Sequence, residues 1–352
     1  MKVLLVTFEY PPTIGGISTY LKELYTDFPG TVWIVSPHTH KIYTRFFWPH
    51  WLPFYFELKK IVALHQPDEL HVSHVLPMGR MARWIFKSMG VPYRVIIHGT
   101  DLQAAQVSKR KWRAVQIILR DAKSCIVNSE ATKKLFLDLC DKEIASPLVI
   151  SPGVSFPAVS TSSIIEKYQV SGKQIILFVA RLVPRKGLTV AVQALQLLLK
   201  IPVLGAILVV VGDGPERAVA EKLAVDLGVA SQVLFVGAVS EEEKWAWYRA
   251  AKLFWFPAQP IAGEWEGFGI TSIEAQSVGC PAVVSDLQGL PETVRDGFSG
   301  SVVVGTAESF AETSAAILQD PEVWQRMRRA AKENAAAHDW KTQRTLFVQS
   351  LK

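Results

Sequence analysis

An α/β fold of two parallel-sheet halves follows from three observations. The chain has 352 residues, a length that suits two domains. Its apolar content of 49% is ample for two cores. Short apolar runs alternate with helical patterns in the first half, and the alternation restarts after Gly153. Strands alternating with helices imply parallel sheets.

In the first half the candidate strands are Val3–Thr7, Val32–Ser36, Glu69–Val72, Tyr93–His98, Ser124–Asn128 and Leu148–Ser151. Helical patterns follow several of them, at Ser18–Asp27, Gly79–Met89 and Glu130–Leu139. Phe156–Thr161 is rich in Pro, Ser and Thr and reads as a linker. The second round has strands at Ile175–Ala180, Ala206–Gly212, Val233–Val236, Leu253–Phe256 and Ala282–Ser285. Between them lie helices at Thr189–Lys200, Glu216–Leu227 and Glu241–Ala251. Ser240 and Glu243 have capping-box spacing, and Asp320-Pro321 opens a further helix. The expected domains are 1–155 and 156–335, with a last helix over 336–352.

Composition excludes several classes. No apolar run reaches the ~18 residues of a membrane span. Val3–Thr7 is short and soon followed by Glu9, so it reads as a first strand and not a signal peptide. Cys125, Cys140 and Cys280 are scattered, with neither metal spacing nor a disulfide framework, as expected for a cytoplasmic protein. The net charge of +6 fits an anionic partner, but no nucleic-acid motif accompanies it, so nucleic acid is not an expected partner. No Ser-His-Asp set, zinc motif or Walker loop appears. A dinucleotide-dependent dehydrogenase is disfavoured because the first strand leads to Pro11-Pro12 and not to G-x-G-x-x-G.

The most informative segment is Glu266-Gly-Phe-Gly-Ile-Thr-Ser-Ile-Glu274, followed by Ala275-Gln-Ser-Val-Gly279-Cys-Pro281. It reads as loop, helix, tight turn and buried strand. A helix starting after Gly269 aims free N–H groups at whatever lies above the turn, which suits a phosphate. Glu274 suits a vicinal diol, because a carboxylate only accepts hydrogen bonds. Phosphate beside diol describes a nucleotide sugar. Arg181 and Lys186 follow the strand Ile175–Ala180, where ligands bind in parallel sheets, and two cations there would neutralise a pyrophosphate. The plain alternative is a solvated basic loop. Gly15-Gly16 precedes a helix, where glycines permit close approach to a ligand or simply make a strand–helix turn. His98-Gly99-Thr100-Asp101 ends a strand, and a lone His there is more often structural than catalytic.

These residues together resemble the retaining glycosyltransferase family 4, and the resemblance covers nearly the whole chain. It implies the GT-B fold: two Rossmann-like domains facing each other across a cleft, with the C-terminal helix returning to the first domain. The paired glutamates match the family's E-x7-E element. The resemblance implies that Arg181 and Lys186 hold the donor phosphates and that Glu266 orients sugar hydroxyls. It implies also that His98 faces the transferred sugar, with Asp101 supporting the loop. Gly15 and Gly16 would face the pyrophosphate and the acceptor. The turn Val211–Pro215, with Gly212, would lie near the nucleoside, and the backbone at Val236 and Gly237 would read the base. Phe268, Gly269 and Ile270 would form the donor-side turn, and Glu274 would hold the ribose. Asn128-Ser129-Glu130 reads first as a helix cap and second as a sugar contact. Gln288 is a slight departure, because many relatives carry Gly there.

The implied activity is transfer of a hexose from GDP-mannose or a UDP-hexose to a glycan or lipid-linked acceptor, by a front-face mechanism. No cofactor is expected, since the nucleotide sugar is a substrate. No Asp-x-Asp pair appears, so no metal is expected either. The loop Pro260–Trp265 resembles loops of some mannosyltransferases. Rival readings are a nucleotide-sugar 2-epimerase and a catalytically silent partner subunit at a membrane. The run Arg45-Phe-Phe-Trp-Pro-His-Trp-Leu-Pro-Phe-Tyr-Phe56, then Lys59-Lys60, sets aromatics beside cations, as does Lys109-Arg-Lys-Trp-Arg113. Two prolines argue against a plain core helix in the first run. Both segments are candidates for contact with an anionic membrane surface, so the expected location extends to the inner face of the membrane.

Overall fold

The computed structural model describes residues 1–43, 48–155, 160–201 and 205–351. Arg45, Phe46 and Phe47 of the aromatic run, and Phe156–Val159 of the expected linker, lie outside the described residues. The chain forms two compact units. The first comprises Met1–Pro152, Gly263–Gly267 and Trp340–Lys352, and the second Gly153–Ala262 and Phe268–Asp339.

The first unit holds a six-stranded sheet of β1 (Lys2–Val6), β2 (Thr31–Val35), β3 (Glu69–Ser73), β4 (Tyr93–Ile97), β5 (Ser124–Val127) and β6 (Leu148–Val149). Its order is β2-β1-β3-β4-β5-β6, and every pair is parallel. Val3–Val6 and Val95–Ile97 are buried along their length, as expected of strands covered on both faces. The helices are α1 (Gly16–Leu24), α2 (Leu52–His65), α3 (Arg80–Met89), α4 (Thr100–Gln106), α5 (Lys109–Asp121) and α6 (Glu130–Leu139). The helix α2 begins inside the aromatic run. Pro53 sits in its first turn, where no intrahelical donor is lost, so proline opens this helix and does not exclude it. Phe54 is buried, and Trp51 and Tyr55 pack on Trp84 of α3 with ring centroids 5.4 and 5.1 Å apart.

In β3 the buried residues Glu69 and His71 share one face. Arg94 Nε donates to Glu69 Oε2 at 2.6 Å, Lys123 Nζ pairs with Glu69 Oε1, and His71 Nε2 lies 3.3 Å from Glu69 Oε2. Tyr25 Oη meets His71 Nδ1 at 2.6 Å.

The second unit repeats the plan with β7 (Gln174–Val179), β8 (Ala206–Val211), β9 (Val233–Gly237), β10 (Leu253–Phe256), β11 (Ala282–Ser285) and β12 (Gly300–Val303). Its order is β12-β11-β10-β7-β8-β9, again parallel throughout. Its helices are α7 (Ser162–Lys167), α8 (Leu188–Leu198), α9 (Glu216–Asp226), α10 (Glu241–Ala250), α11 (Ile270–Ser277), α12 (Ala307–Gln319) and α13 (Pro321–Ala336). Asp320 caps α13 by accepting from the N–H groups of Glu322 and Val323. Ser240 caps α10 by accepting from Glu243 N. The Glu243 carboxylate accepts from Tyr168 Oη at 2.7 Å and pairs with Lys167, so the expected capping box is replaced by a tie to α7. Behind α11, Asn334 of α13 donates to Gln276 Oε1 at 2.8 Å and Gln276 donates to Thr293 O at 2.7 Å. That buried set fixes the rotation of α11.

The last helix, α14 (Trp340–Ser350), packs in the first unit. Phe347 packs edge-on against Tyr25, Arg344 donates to Glu23 Oε2, and Arg94 Nη1 donates to Ser350 O at 3.0 Å.

Each sheet has one place where the strand order reverses. In the first it lies between β1 and β3, and in the second between β7 and β10. Ligands of open parallel sheets bind beyond the carboxyl ends of the strands at such a point.

Candidate active site

In the second unit Arg181 and Lys186 lie in the loop after β7, at the reversal point. Arg181 is exposed and Lys186 half-buried. The Lys186 ammonium stands 4.6 Å from the centroid of Phe256, the last residue of β10. A short 3₁₀ turn, Pro184–Lys186, and the Gln259 N–H donating to Arg185 O at 2.8 Å join this loop to the segment after β10. The two expected cations therefore stand on a braced loop and not on a loose one.

Gly269 is the N-cap of α11 and lies in the left-handed region, with φ 88°. A Cβ there would meet Leu290 and Phe256, so the turn needs glycine for both conformation and space. Phe268 is buried against His338 at 5.6 Å between ring centroids, which pins the entry to the turn, and Ile270 is half-buried at the first helical position. Glu274 follows one turn later and is buried. Its Oε1 accepts from Lys244 Nζ at 3.2 Å and its Oε2 from Tyr248 Oη at 2.8 Å. Burial and the Glu274 charge push the Tyr248 phenol well above its ordinary pKa, so it stays a donor. Each carboxylate oxygen retains a further acceptor site.

The remaining second-unit candidates are tied together. Gly212 N donates to Gly237 O at 2.8 Å, and Leu182 N donates to Asp213 O at 2.9 Å. The turn after β8 thus joins the end of β9, with half-buried Val236, to the Arg181 loop. Gln288 adopts φ 52°, the left-handed region, which is the physical reason a glycine suits that position.

The other candidates lie in the first unit. Gly15 caps α1 and Gly16 begins it. His98 is buried, and its Nε2 lies 2.9 Å from Ser73 Oγ. Burial, with His74 nearby, holds its pKa well below the ordinary imidazole value, so the ring is neutral. Asp101 accepts from the backbone N–H groups of His98 and Val75, both at 3.2 Å, and so fixes this loop. Ser129 caps α6 by accepting from Thr132 N, and buried Asn128 leaves its Oδ1 without a partner among the described residues.

Glu266 also belongs to the first unit, because Gly263–Gly267 packs there. Trp265 makes that attachment. Its Nε1 donates to Thr132 Oγ1 and its carbonyl accepts from Thr100 Oγ1, both at 3.1 Å. The indole lies on Gly99, where a Cβ would collide with it, and a Cβ on Gly267 would stand 3.0 Å from His98 O. Buried Glu266 is thereby held beside the His98 loop.

The expected residues fall into two groups. Arg181, Lys186, Gly212, Val236, Gly237, Phe268, Gly269, Ile270 and Glu274 lie in the second unit, and Gly15, Gly16, His98 and Glu266 in the first. Sequence reasoning missed Lys244 and Tyr248, whose four-residue spacing on α10 was the available signal. It missed also the anchoring role of Trp265, and Ser73 and His74, which no motif marks.

The profile described as Glycosyltransferase Family 4 matches residues 2–155, and that described as Glycosyl transferases group 1 matches 161–335. A GDP-mannose-dependent alpha-(1-6)-phosphatidylinositol monomannoside mannosyltransferase of Mycolicibacterium smegmatis is 26% identical, over 96% of this chain and 93% of its own. A D-inositol 3-phosphate glycosyltransferase of the same organism is 28% identical, over 79% and 66%. Among solved structures, sucrose-phosphate synthase of Thermosynechococcus elongatus superposes with a TM-score of 0.83 at 21% identity, over 100% of this chain and 98% of that one. Anabaena HepE in complex with UDP superposes with a TM-score of 0.84 at 19% identity, over 100% and 99%. The fold and the matched profiles define a GT-B nucleotide-sugar glycosyltransferase. The chain belongs to glycosyltransferase family 4.

Proposed function

We propose that this protein transfers a mannosyl group from GDP-mannose to a hydroxyl of a lipid-linked acceptor, with retention of configuration. One observation carries the donor class. Glu274, oriented by Tyr248 and Lys244, stands one turn behind the Gly269 N-terminus of α11, in the same unit as Arg181 and Lys186. An acceptor-only group behind a phosphate-sized N–H cluster matches a ribose diol joined to a pyrophosphate. The GDP-mannose dependence in the names of the mycobacterial relatives supports mannose and guanine. The backbone at Val236 and Gly237 reads the base.

Arg181, Lys186 and the α11 N-terminus hold the charge that grows on the departing phosphate. Glu266 orients sugar hydroxyls, and neutral His98 faces the transferred sugar. Arg181 and Lys186 supply cationic charge, so the reading needs no metal. The departing phosphate takes up the proton of the acceptor hydroxyl on the same face.

Thermal stabilisation by a panel of nucleotides tests the reading. Saturating GDP-mannose should raise Tm more than UDP-glucose does, because a ligand at 100 times its Kd stabilises by roughly 2.7 kcal/mol. Stabilisation by UDP-sugars alone would overturn the choice of donor.

A further inference from the structure

Two polar side chains stand at the reversal point of the first sheet and have no part in the machinery above. Glu9 lies just beyond β1 and His74 just beyond β3, the two strands between which the order reverses. His74 Nε2 is 4.0 Å from Glu9 Oε1, too far for a hydrogen bond. An oxygen placed about 2.8 Å from each would see the two at roughly 90°, an acceptable angle for one bond donated and one received. Both side chains are partly open, at 19% and 24% exposure.

The surroundings hold both groups in position. Thr7 Oγ1 accepts from Glu9 N at 3.1 Å and donates to Glu9 O, which shapes the chain after β1. The carboxylate reaches beside Gly15, where a Cβ would stand 3.3 Å from Glu9 Oε2, so the glycine leaves that flank clear. His74 adopts φ 79°, a conformation a histidine rarely takes, and strain of this kind gathers at functional sites. It is held by its N–H to Ile96 O at 3.1 Å, by Phe8 edge-on at 5.8 Å, and by the Asp101 cap on Val75.

Ser73 links the two histidines. His98 Nε2 lies 2.9 Å from Ser73 Oγ, and Ser73 Oγ lies 3.3 Å from His74 Nδ1. With Ser73 Oγ as the donor to His74 Nδ1, the imidazole N–H of His74 is at Nε2, the nitrogen that faces Glu9. The pair offers one donor and one anionic acceptor, which is the complement of an alcohol.

We propose that Glu9 and His74 bind the acceptor through one hydroxyl, which donates to Glu9 and accepts from His74. This rests on the glycosyl-transfer reading, and the two residues position the acceptor without exchanging its proton.

The test uses Glu9→Gln and His74→Asn, with GDP-mannose as donor and octyl α-D-mannoside as acceptor probe. Asn tolerates positive φ, and Glu9→Gln leaves the strained residue untouched. Each variant should raise the acceptor KM by roughly 10-fold or more, the scale for a hydrogen bond involving a charged group. The donor KM should stay within about twofold, and the double variant should lose little beyond either single one, as for a pair acting together. An unchanged acceptor KM in Glu9→Gln, or parallel rises in both KM values, would overturn the assignment. If the wild type fails to use GDP-mannose, the donor reading falls, and imidazole NMR decides this one. Octyl α-D-mannoside should shift the His74 Nε2 resonance of the wild type and not that of Glu9→Gln, and an unmoved wild-type resonance overturns the pair.

Discussion

Replacing Glu274 with Gln separates the donor role of this residue from its place in the core. The carboxylate accepts from Lys244 at 3.2 Å and from Tyr248 at 2.8 Å, which leaves one acceptor site on each oxygen for a ribose diol. Glutamine keeps the shape and one oxygen, but it removes the charge and replaces the other acceptor by a donor. A hydrogen bond to a charged group contributes about 1.5–3 kcal/mol, so GDP affinity should fall roughly 10- to 100-fold. The fold pays a separate penalty. The Tyr248 hydroxyl is buried, and leaving it unmatched costs about 1–3 kcal/mol. Lys244 keeps Glu241 at 2.9 Å, but Glu241 is exposed and the pair is worth little. Tyr248→Phe is the control, since it removes the same contact to Oε2 and spares the charge. It should destabilise by about 1 kcal/mol and leave GDP affinity within about threefold. Calorimetric titration with GDP, well below the melting temperature of every variant, reads both effects. Wild-type affinity in the Gln variant would refute the ribose assignment. Equal losses in the Gln and Phe variants would show that positioning of α11, and not the charge, carries the effect.

Alanine at Arg181 or Lys186 should lower kcat by about 10²-fold, the scale for losing one stabiliser of developing charge, and wild-type turnover in both would remove them from the mechanism. Activity should persist in excess EDTA, and loss restored by a divalent ion would overturn the metal-free reading. Burial alone would raise the Glu69 pKa, but hydrogen bonds from His71, Arg94 and Lys123 outweigh it and lower it to about 2. A depressed carboxylate pKa gives stability that is present above the unfolded value and lost as pH falls towards 2. Urea unfolding should therefore show up to about 3 kcal/mol lost between pH 5 and pH 2 that Glu69→Gln lacks, and identical pH profiles would refute the assignment. We propose also that the first unit meets an anionic membrane through exposed Trp48 and Phe56 and the exposed cations of Lys109–Arg113. Among the described residues no helix is long and apolar enough to cross a membrane. Sedimentation with anionic liposomes at low salt should carry the protein down, and protein left in the supernatant at both low and physiological salt would refute the contact.

Much of the fold was legible because parallel strands buried on both faces are continuous apolar runs, and each expected strand lies within two residues of an observed one. Helix α2 was harder to read. Pro49 and Pro53 argued against a helix when taken as interior residues, yet Pro49 precedes α2 and Pro53 stands in its first turn, where the ring is preorganised for a helix. The glycines at 15 and 269 were legible as turns, but their reasons were not. Gly269 answers to Leu290 and Phe256, and Gly15 to the Glu9 carboxylate, contacts that only the folded chain brings about.

The same distinction separates the two halves of the candidate site. Glu266, Gly269 and Glu274 share one loop and helix, so spacing along the chain reveals them. Lys244 and Tyr248 come from α10, and Glu9 and His74 from the ends of β1 and β3, so their meeting depends on strand order. Glu266 shows the limit of reading by spacing. It sits eight residues before Glu274, yet Trp265 binds its segment to Thr100 and Thr132 and so places the two glutamates in different units. A variant that loosens Trp265, such as Trp265→Ala, therefore acts on the His98 loop and not on Glu274. It should lower kcat and leave the GDP affinity measured by calorimetry within about twofold. A matching loss of GDP affinity would mean that the two glutamates work as one rigid element, and the division of labour argued here would fail.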